Sequence, residues 1–174
     1  MAQGDLVQRM LGAATLNIDT FEEVEADETA TMQAAAVVAM VAVASAIGSV
    51  GDGNISIVLA PIAQIVGWLI WAGVTYLIGD KIFGGTATWG ELLRTLGFAQ
   101  SPGLLYLLAV LPLVGGMIRF IVPFWMLWAG IIAIRQALDF STGKAILTAL
   151  IGWAAMIIPA MILGGMIGLG GLGR

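Results

Sequence analysis

The sequence has no cysteine and no histidine, and little charge: 7 Lys and Arg and 11 Asp and Glu, 10% of its 174 residues. Without cysteine there is no disulfide framework, thiol nucleophile or thiolate metal site. Without histidine there is no imidazole base, no Ser-His-Asp triad, and none of the usual zinc or haem ligation. The scarcity of charge excludes more. A soluble domain carries roughly 25% charged residues, and 18 ionisable side chains cannot cover a globule of this size. A soluble enzyme is therefore excluded. No basic cluster is present to track a phosphate backbone, so nucleic acid is not an expected partner. No catalytic residue, metal site or cofactor is expected.

What the chain does have is hydrocarbon: 60% of its residues are hydrophobic. Seven of the eleven acids lie in residues 1–30, against one base, Arg9. There Leu6, Val7, Met10, Leu11 and Ala14 recur at helical spacing and predict a short amphipathic helix. Asp19 with Glu22, and Thr20 with Glu23, each fit the capping pattern of a second short helix carrying Phe21 and Val24. Residues 31–168 are expected to form the membrane domain, and residues 169–174 a glycine-rich tail.

Breaks in the apolar part set the spans. Met32–Val50 is the first and Ile55–Ile78 the second. Lys81–Gln100 is polar enough to leave the hydrocarbon, with Thr88 and Glu91 as a capping pair and Leu92, Leu93 and Leu96 on one helix face. Phe98–Ile134 is 37 residues long, and a helical span needs about 17 or more. It therefore holds two short spans joined by a turn at Val114–Gly116. The earlier of these, about 98–115, carries two prolines and either crosses or is re-entrant. The last span runs from Ala145 to about Gly168. The expected fold is an all-α, polytopic membrane helix bundle of about five transmembrane helices with short amphipathic N-terminal helices.

Five spans with a cytoplasmic N-terminus place Arg9, Lys81, Arg94, Arg135 and Lys144 inside, and Arg119 and Arg174 outside. The positive-inside rule favours that arrangement, in the cell (inner) membrane with the C-terminus outside.

Several stretches resemble the Yip family of multi-pass membrane proteins, named for binding Ypt/Rab GTPases, and in particular its prokaryotic-type members. They are GGTATWGELLRTLGFAQSPGLL (84–105), the Pro-Leu-Val-Gly-Gly turn (112–116), IAIRQALDFSTGKA (132–145) and FEEVEADETATMQA (21–34). The resemblance implies a five-helix bundle with a cytoplasmic N-terminus. Eukaryotic members act through Rab GTPases and carry an Asp-Leu-Tyr-Gly-Pro type motif. Here Asp5-Leu6-Val7-Gln8 keeps only its first two residues, so the GTPase-binding role is not carried over.

The candidate lipid or partner contacts are few. Arg119 is the one base near the start of a span, placed to reach a headgroup, an ion-pair partner or the outer interface. Trp68, Trp71, Trp125 and Trp128 fall inside spans rather than at their ends; they line a lipid, quinone or pigment groove or, as the stronger reading, pack against small-residue faces. Gln64 and Thr75 are polar groups within the second span, read as bonds to a neighbouring helix. The expected role is a non-catalytic membrane scaffold or adaptor. Its alternatives are an accessory subunit of a larger membrane complex and a small oligomeric transporter or channel. The expected partners are the lipid bilayer and other membrane proteins or a second copy of the chain.

Overall fold

The computed structural model describes residues 5–50 and 54–155, with side chains for 5–50 and 61–155. Every described element is helical. In chain order these are α1 (Leu6–Ala14), α2 (Ile18–Ala26), α3 (Ala30–Gly48), α4 (Asn54–Tyr76) and a π-helical turn (Leu77–Ile82). Then come α5 (Trp89–Phe98), a 3₁₀ helix (Ser101–Val110), α6 (Gly115–Ala137) and α7 (Thr142–Ala155). The glycine-rich tail and the end of the last expected span lie outside the described residues.

Local chemistry explains the helix starts. Thr88 and Glu91 form a reciprocal capping box: the Glu91 amide donates to Thr88 Oγ1 at 3.3 Å and the Thr88 amide to Glu91 Oε2 at 2.7 Å. That pair was legible in the sequence. The start of α2 was not: its cap is Asn17, whose side chain accepts from the Thr20 amide at 3.4 Å, rather than Asp19 or Thr20. Leu16, in the left-handed region at φ 65°, turns the chain early and sets Asn17 at the cap. Asparagine satisfies that position as well as aspartate does.

The apolar elements lie in alternating directions, as their close approaches show. Ideal β-carbons built at Gly97, Gly103 and Gly48 would meet Ala34, Val41 and the Tyr106 carbonyl respectively, so α5 and the 3₁₀ helix run parallel to α3 along its length. Trp68 Nε1 donates to the Leu93 carbonyl, Gln64 bonds Gln100, and Tyr76 meets Trp89 edge-on; α4 is thus antiparallel to that pass. Gly115 abuts the Ala109 carbonyl and Gly103 faces Met126, so α6 returns. Lys144 bonds the Phe83 carbonyl and Gly152 faces Trp71, so α7 descends again.

Among the described residues, three helices are long and apolar enough to cross a bilayer alone: Ala30–Gly48, Pro61–Ile82 and Gly115–Ala137. Five were expected, and the difference has a physical reason. The third pass is split between the end of α5 and a ten-residue 3₁₀ helix. At about 2.0 Å per residue it covers roughly 20 Å, where an α-helix of that length covers about 15 Å. It reaches both ends of α3, so it runs the length of that helix. The fifth pass, α7, is described only as far as Ala155.

One end of the bundle is polar. There α1, α2 and α5 gather over the start of α3 and the ends of α4 and α6, burying Phe21, Val24, Leu92, Leu96 and Phe98 completely. Each such side chain contributes roughly 2 kcal/mol relative to exposure to water. In Lys81–Gln100, expected to leave the hydrocarbon with one apolar helix face, residues 94–100 are all buried within the protein. Toward the other end the outer surface is hydrocarbon: Met40, Val43 and Ile47 on α3, Ile62, Val66 and Leu69 on α4, and Leu147 and Ile151 on α7 are all exposed.

Two glycines report on this packing in opposite senses. A β-carbon at Gly48 would lie 2.3 Å from the Tyr106 carbonyl oxygen, whereas one at Gly143 meets nothing within 4 Å. Gly48→Ala should therefore destabilise the bundle by roughly 1–3 kcal/mol. Gly143→Ala, within α7, should be neutral or stabilising by up to about 1 kcal/mol. Thermal unfolding of the two variants in one detergent compares them directly.

Candidate functional site

Bases are few, and the structure places them on the acceptors that a water-poor bundle most needs to satisfy. Arg94, buried in α5, donates from Nε to the Val24 carbonyl at 3.2 Å and from Nη2 to the Glu25 carbonyl at 2.5 Å. These carbonyls belong to the last turn of α2, where helical acceptors lack intrahelical donors and a cation complements the dipole. Lys144 Nζ does the same for the Phe83 carbonyl at 3.1 Å, just past the π-helical turn. Arg119 Nη2 donates to the Gly48 carbonyl at 2.6 Å, at the end of α3. The sequence offered Arg119 as a headgroup or partner contact; its described bond is to the chain itself.

Arg9 differs, because its partners are side chains. It is 1% exposed and donates to Glu23 Oε1 at 2.9 Å, Asp27 Oδ2 at 2.6 Å and Gln33 Oε1 at 2.8 Å. One guanidinium thus joins α1, α2 and the start of α3. Burial acts to lower its pKa, but the bonds to Asp27 and Glu23 outweigh that and raise it. Asp27 is held below the usual carboxylate range, first by the Thr29 hydroxyl and then by Arg9.

Glu25 is shifted the other way. Burial pushes its carboxyl up to about 7, with Glu91, Asp139 and Glu22 adding to the effect and Arg94 opposing it. Its folded-state pKa is therefore raised, so the neutral acid is the form the fold prefers. The stability it contributes is complete below the unfolded value near 4.5 and is lost as the pH rises through 7.

The tryptophans divide into two pairs. Trp68 and Trp71 are interior, at 8% and 1% exposure. Trp71 is wedged between helices, with its ring edges where β-carbons of Gly130 and Gly152 would stand. That is packing against small residues, on α6 and α7. Trp125 and Trp128 are exposed, at 38% and 57%. Together with Phe120, Ile121, Phe124 and Leu16 they line a shallow apolar groove of about 450 Å³. Trp125 Nε1 donates to the Ala14 carbonyl at 2.9 Å, so the groove begins where α1 meets α6. Beyond Trp128 the helix passes beneath α2, with Gln136 Nε2 bonded to Glu22 Oε1 at 2.7 Å.

The polar groups of α4 also separate. Gln64 Nε2 donates to Gln100 Oε1, an amide pair between two passes; the bond crosses helices as expected, but to a side chain rather than to backbone. Gln100, only 1% exposed, was hidden in sequence by its polar neighbours. Among the described residues no cluster of three or more Asp and Glu side chains could hold a metal ion.

A family model of the Yip1 domain matches residues 16–163. The chain belongs to the Yip1 domain family. No curated protein and no solved structure matches it. It is accordingly a membrane protein of the Yip type, and the match covers everything from the Leu16 turn through α7.

The Glu25 environment is open to direct measurement. Between pH 5 and 8 the melting temperature of the wild type should fall, most steeply between the unfolded value near 4.5 and the folded value near 7, and level off above 7. Glu25→Gln should flatten that part of the profile and be the more stable protein at pH 8. A profile unchanged by the substitution would mean that Glu25 titrates as an ordinary surface carboxylate.

Proposed function

We propose that this protein is an integral membrane scaffold or adaptor that organises neighbouring membrane proteins or lipids without catalysis. The observation that carries this reading is the aromatic face of α6. Phe120, Phe124 and Trp128 follow one another at a spacing of four residues, all exposed, beside the Leu16 turn. Large exposed apolar patches edged by polar structure mark interaction surfaces. Few of the polar groups are left for chemistry, because the described guanidinium groups of Arg9, Arg94 and Arg119 all bond to the chain's own carbonyls or side-chain oxygens.

The same reading places the polar end in the cytoplasm, with five membrane passes and the C-terminus outside. Its support is the distribution of bases: Arg9, Lys81, Arg94, Arg135 and Lys144 all belong to the polar end, and Arg119 to the opposite end. Positive charge retained on the inner side is the expected bias. With no native cysteine, single cysteines can test this. Gly116 and Gly143 both have open space where a side chain would go. In intact cells a membrane-impermeant maleimide should label Gly116→Cys, and should label Gly143→Cys only after permeabilisation. The reverse pattern would invert the topology.

The scaffold role predicts an assembly larger than the 18.1 kDa chain. Extraction in mild detergent should yield a defined complex by native mass measurement, weakened by Phe124→Ala and Trp128→Ala but not by Met32→Ala. A fixed stoichiometry with one other protein would favour the accessory-subunit alternative. A monomer unaffected by any of the three substitutions would remove the assembly role.

A further inference from the structure

The polarity of α1 is reversed. Its one charged side chain, Arg9, faces the bundle with Met10 and Ala13, and all three are buried. Val7 and Leu11 stand outside at 56% and 62% exposure, with Gln8 as the one exposed polar side chain of the helix. A helix lying over an aqueous surface carries its apolar stripe inward and its charge outward. Beyond α1 the pattern continues, with Leu16 half-buried at the turn and Ile18 exposed at the start of α2.

The end of α1 carries a second, independent sign. The last four carbonyls of a helix lack intrahelical donors, and here Leu11, Gly12, Ala13 and Ala14 each meet one from elsewhere in the chain. The amides of Thr15, Asn17 and Leu16 donate to Leu11, Gly12 and Ala13 at 2.9, 2.9 and 3.1 Å. The Thr15 hydroxyl adds bonds to Leu11 and Gly12 at 2.8 and 3.1 Å, and Trp125 Nε1 reaches from α6 to Ala14 at 2.9 Å. The polar side chains of the turn, Thr15 and Asn17, are thus both bent back onto backbone. A helix end in water can leave such acceptors to solvent, whereas one beside hydrocarbon must satisfy them within the protein.

The height of the turn agrees with this. Trp125 is the eleventh of the 23 residues of α6, so the bond to Ala14 lies about 15 Å along that helix. Its neighbour Met126 lies against Gly103, which faces Val41 beside the exposed Met40 of α3. The turn is therefore level with the stretch of the bundle whose outer surface is hydrocarbon. Leu16 also shares an apolar groove with Phe120, Phe124 and Trp128, which makes the apolar surface continuous from the turn to the exposed face of α6.

We propose that the N-terminal hairpin inserts its turn into the bilayer, with Val7, Leu11, Leu16 and Ile18 against the acyl chains of the leaflet at the polar end. Asp19 limits the depth: its exposed carboxylate is costly in hydrocarbon and keeps the start of α2 within reach of the headgroups. The hairpin is then a one-sided wedge, adding volume to one leaflet where the spanning helices occupy both. This holds whether or not α6 also carries a protein partner.

The test uses the full chain in phosphatidylcholine vesicles, with single nitroxide-labelled cysteines at Leu11→Cys, Ile18→Cys and, as a control facing water, Glu28→Cys. The absence of native cysteine makes each label unique. Power saturation is measured with oxygen, which concentrates among acyl chains, and with a water-soluble nickel chelate on both sides of the membrane. At positions 11 and 18 accessibility to oxygen should exceed that to nickel severalfold, and at position 28 the order should reverse. Trp125→Phe, which takes the donor from the Ala14 carbonyl, should raise nickel accessibility at position 18 severalfold, and Trp128→Phe should leave it unchanged. Nickel exceeding oxygen at positions 11 and 18 would put the hairpin in water and overturn the proposal. Low accessibility to both reagents would mean that protein, a second copy included, covers α1, and overturns it equally. An unchanged position 18 in Trp125→Phe would overturn the part given to that bond in seating the turn.

Discussion

The architecture depends on one seam, where the third pass lies against α3 with almost no side chain between them. Gly97 at Ala34, Gly103 at Val41, and Gly48 at Tyr106 and Ala109 allow backbone to approach backbone over the length of α3. Helix association in lipid gains little from hydrophobicity and relies on such close packing of small residues. Because the third pass is held there, Gln100 comes to Gln64, Tyr106 reaches an interior cavity of about 180 Å³ lined also by Gln64 and Trp71, and Ala109 delivers the chain to the start of α6. A bulkier residue at any of the three glycines would move all of these at once.

A second constraint acts at the helix ends. A chain with seven bases places Arg94, Lys144 and Arg119 on terminal carbonyls, which have no donors of their own and little water to supply them. Arg9 instead ties three helices through carboxylates and an amide. The polar end is therefore held by charge-assisted bonds, and the remainder by shape. The aromatic face of α6 begins where these two regimes meet, at the Trp125 bond to Ala14.

Much of this was legible in the residues. The Thr88–Glu91 box and the amphipathic pairs Phe21–Val24 and Leu92–Leu96 follow from periodicity and capping chemistry, which are local. So does the all-helical bundle, and the short motifs carried the family. Non-local features were not legible. Nothing in Asp19 or Thr20 says that Leu16 will turn left-handed and give the cap to Asn17. Nothing in the run Phe98–Gln100 says that Gln100 will be interior, because its burial depends on Gln64, 36 residues away. Trp68 and Trp71 could not be told from Trp125 and Trp128 by depth along a helix; which side of the helix faces the bundle decides it.

The 3₁₀ pass has a consequence for what the chain can tolerate. Ten residues at three per turn advance about 2 Å and rotate about 120° per residue. Adding or deleting one residue between Ser101 and Val110 would turn everything beyond it by a third of a revolution. Ala109 would then leave the Gly48 and Gly115 contacts, and Tyr106 would leave the cavity. In an ordinary surface loop such a change is absorbed within a few residues; here only the turn at residues 111–114 separates the pass from α6. Length in this segment is fixed as strictly as composition is elsewhere, so natural variation in the bundle should be found in substitutions along the outer faces and in the polar helices, with the residue count of this pass held constant.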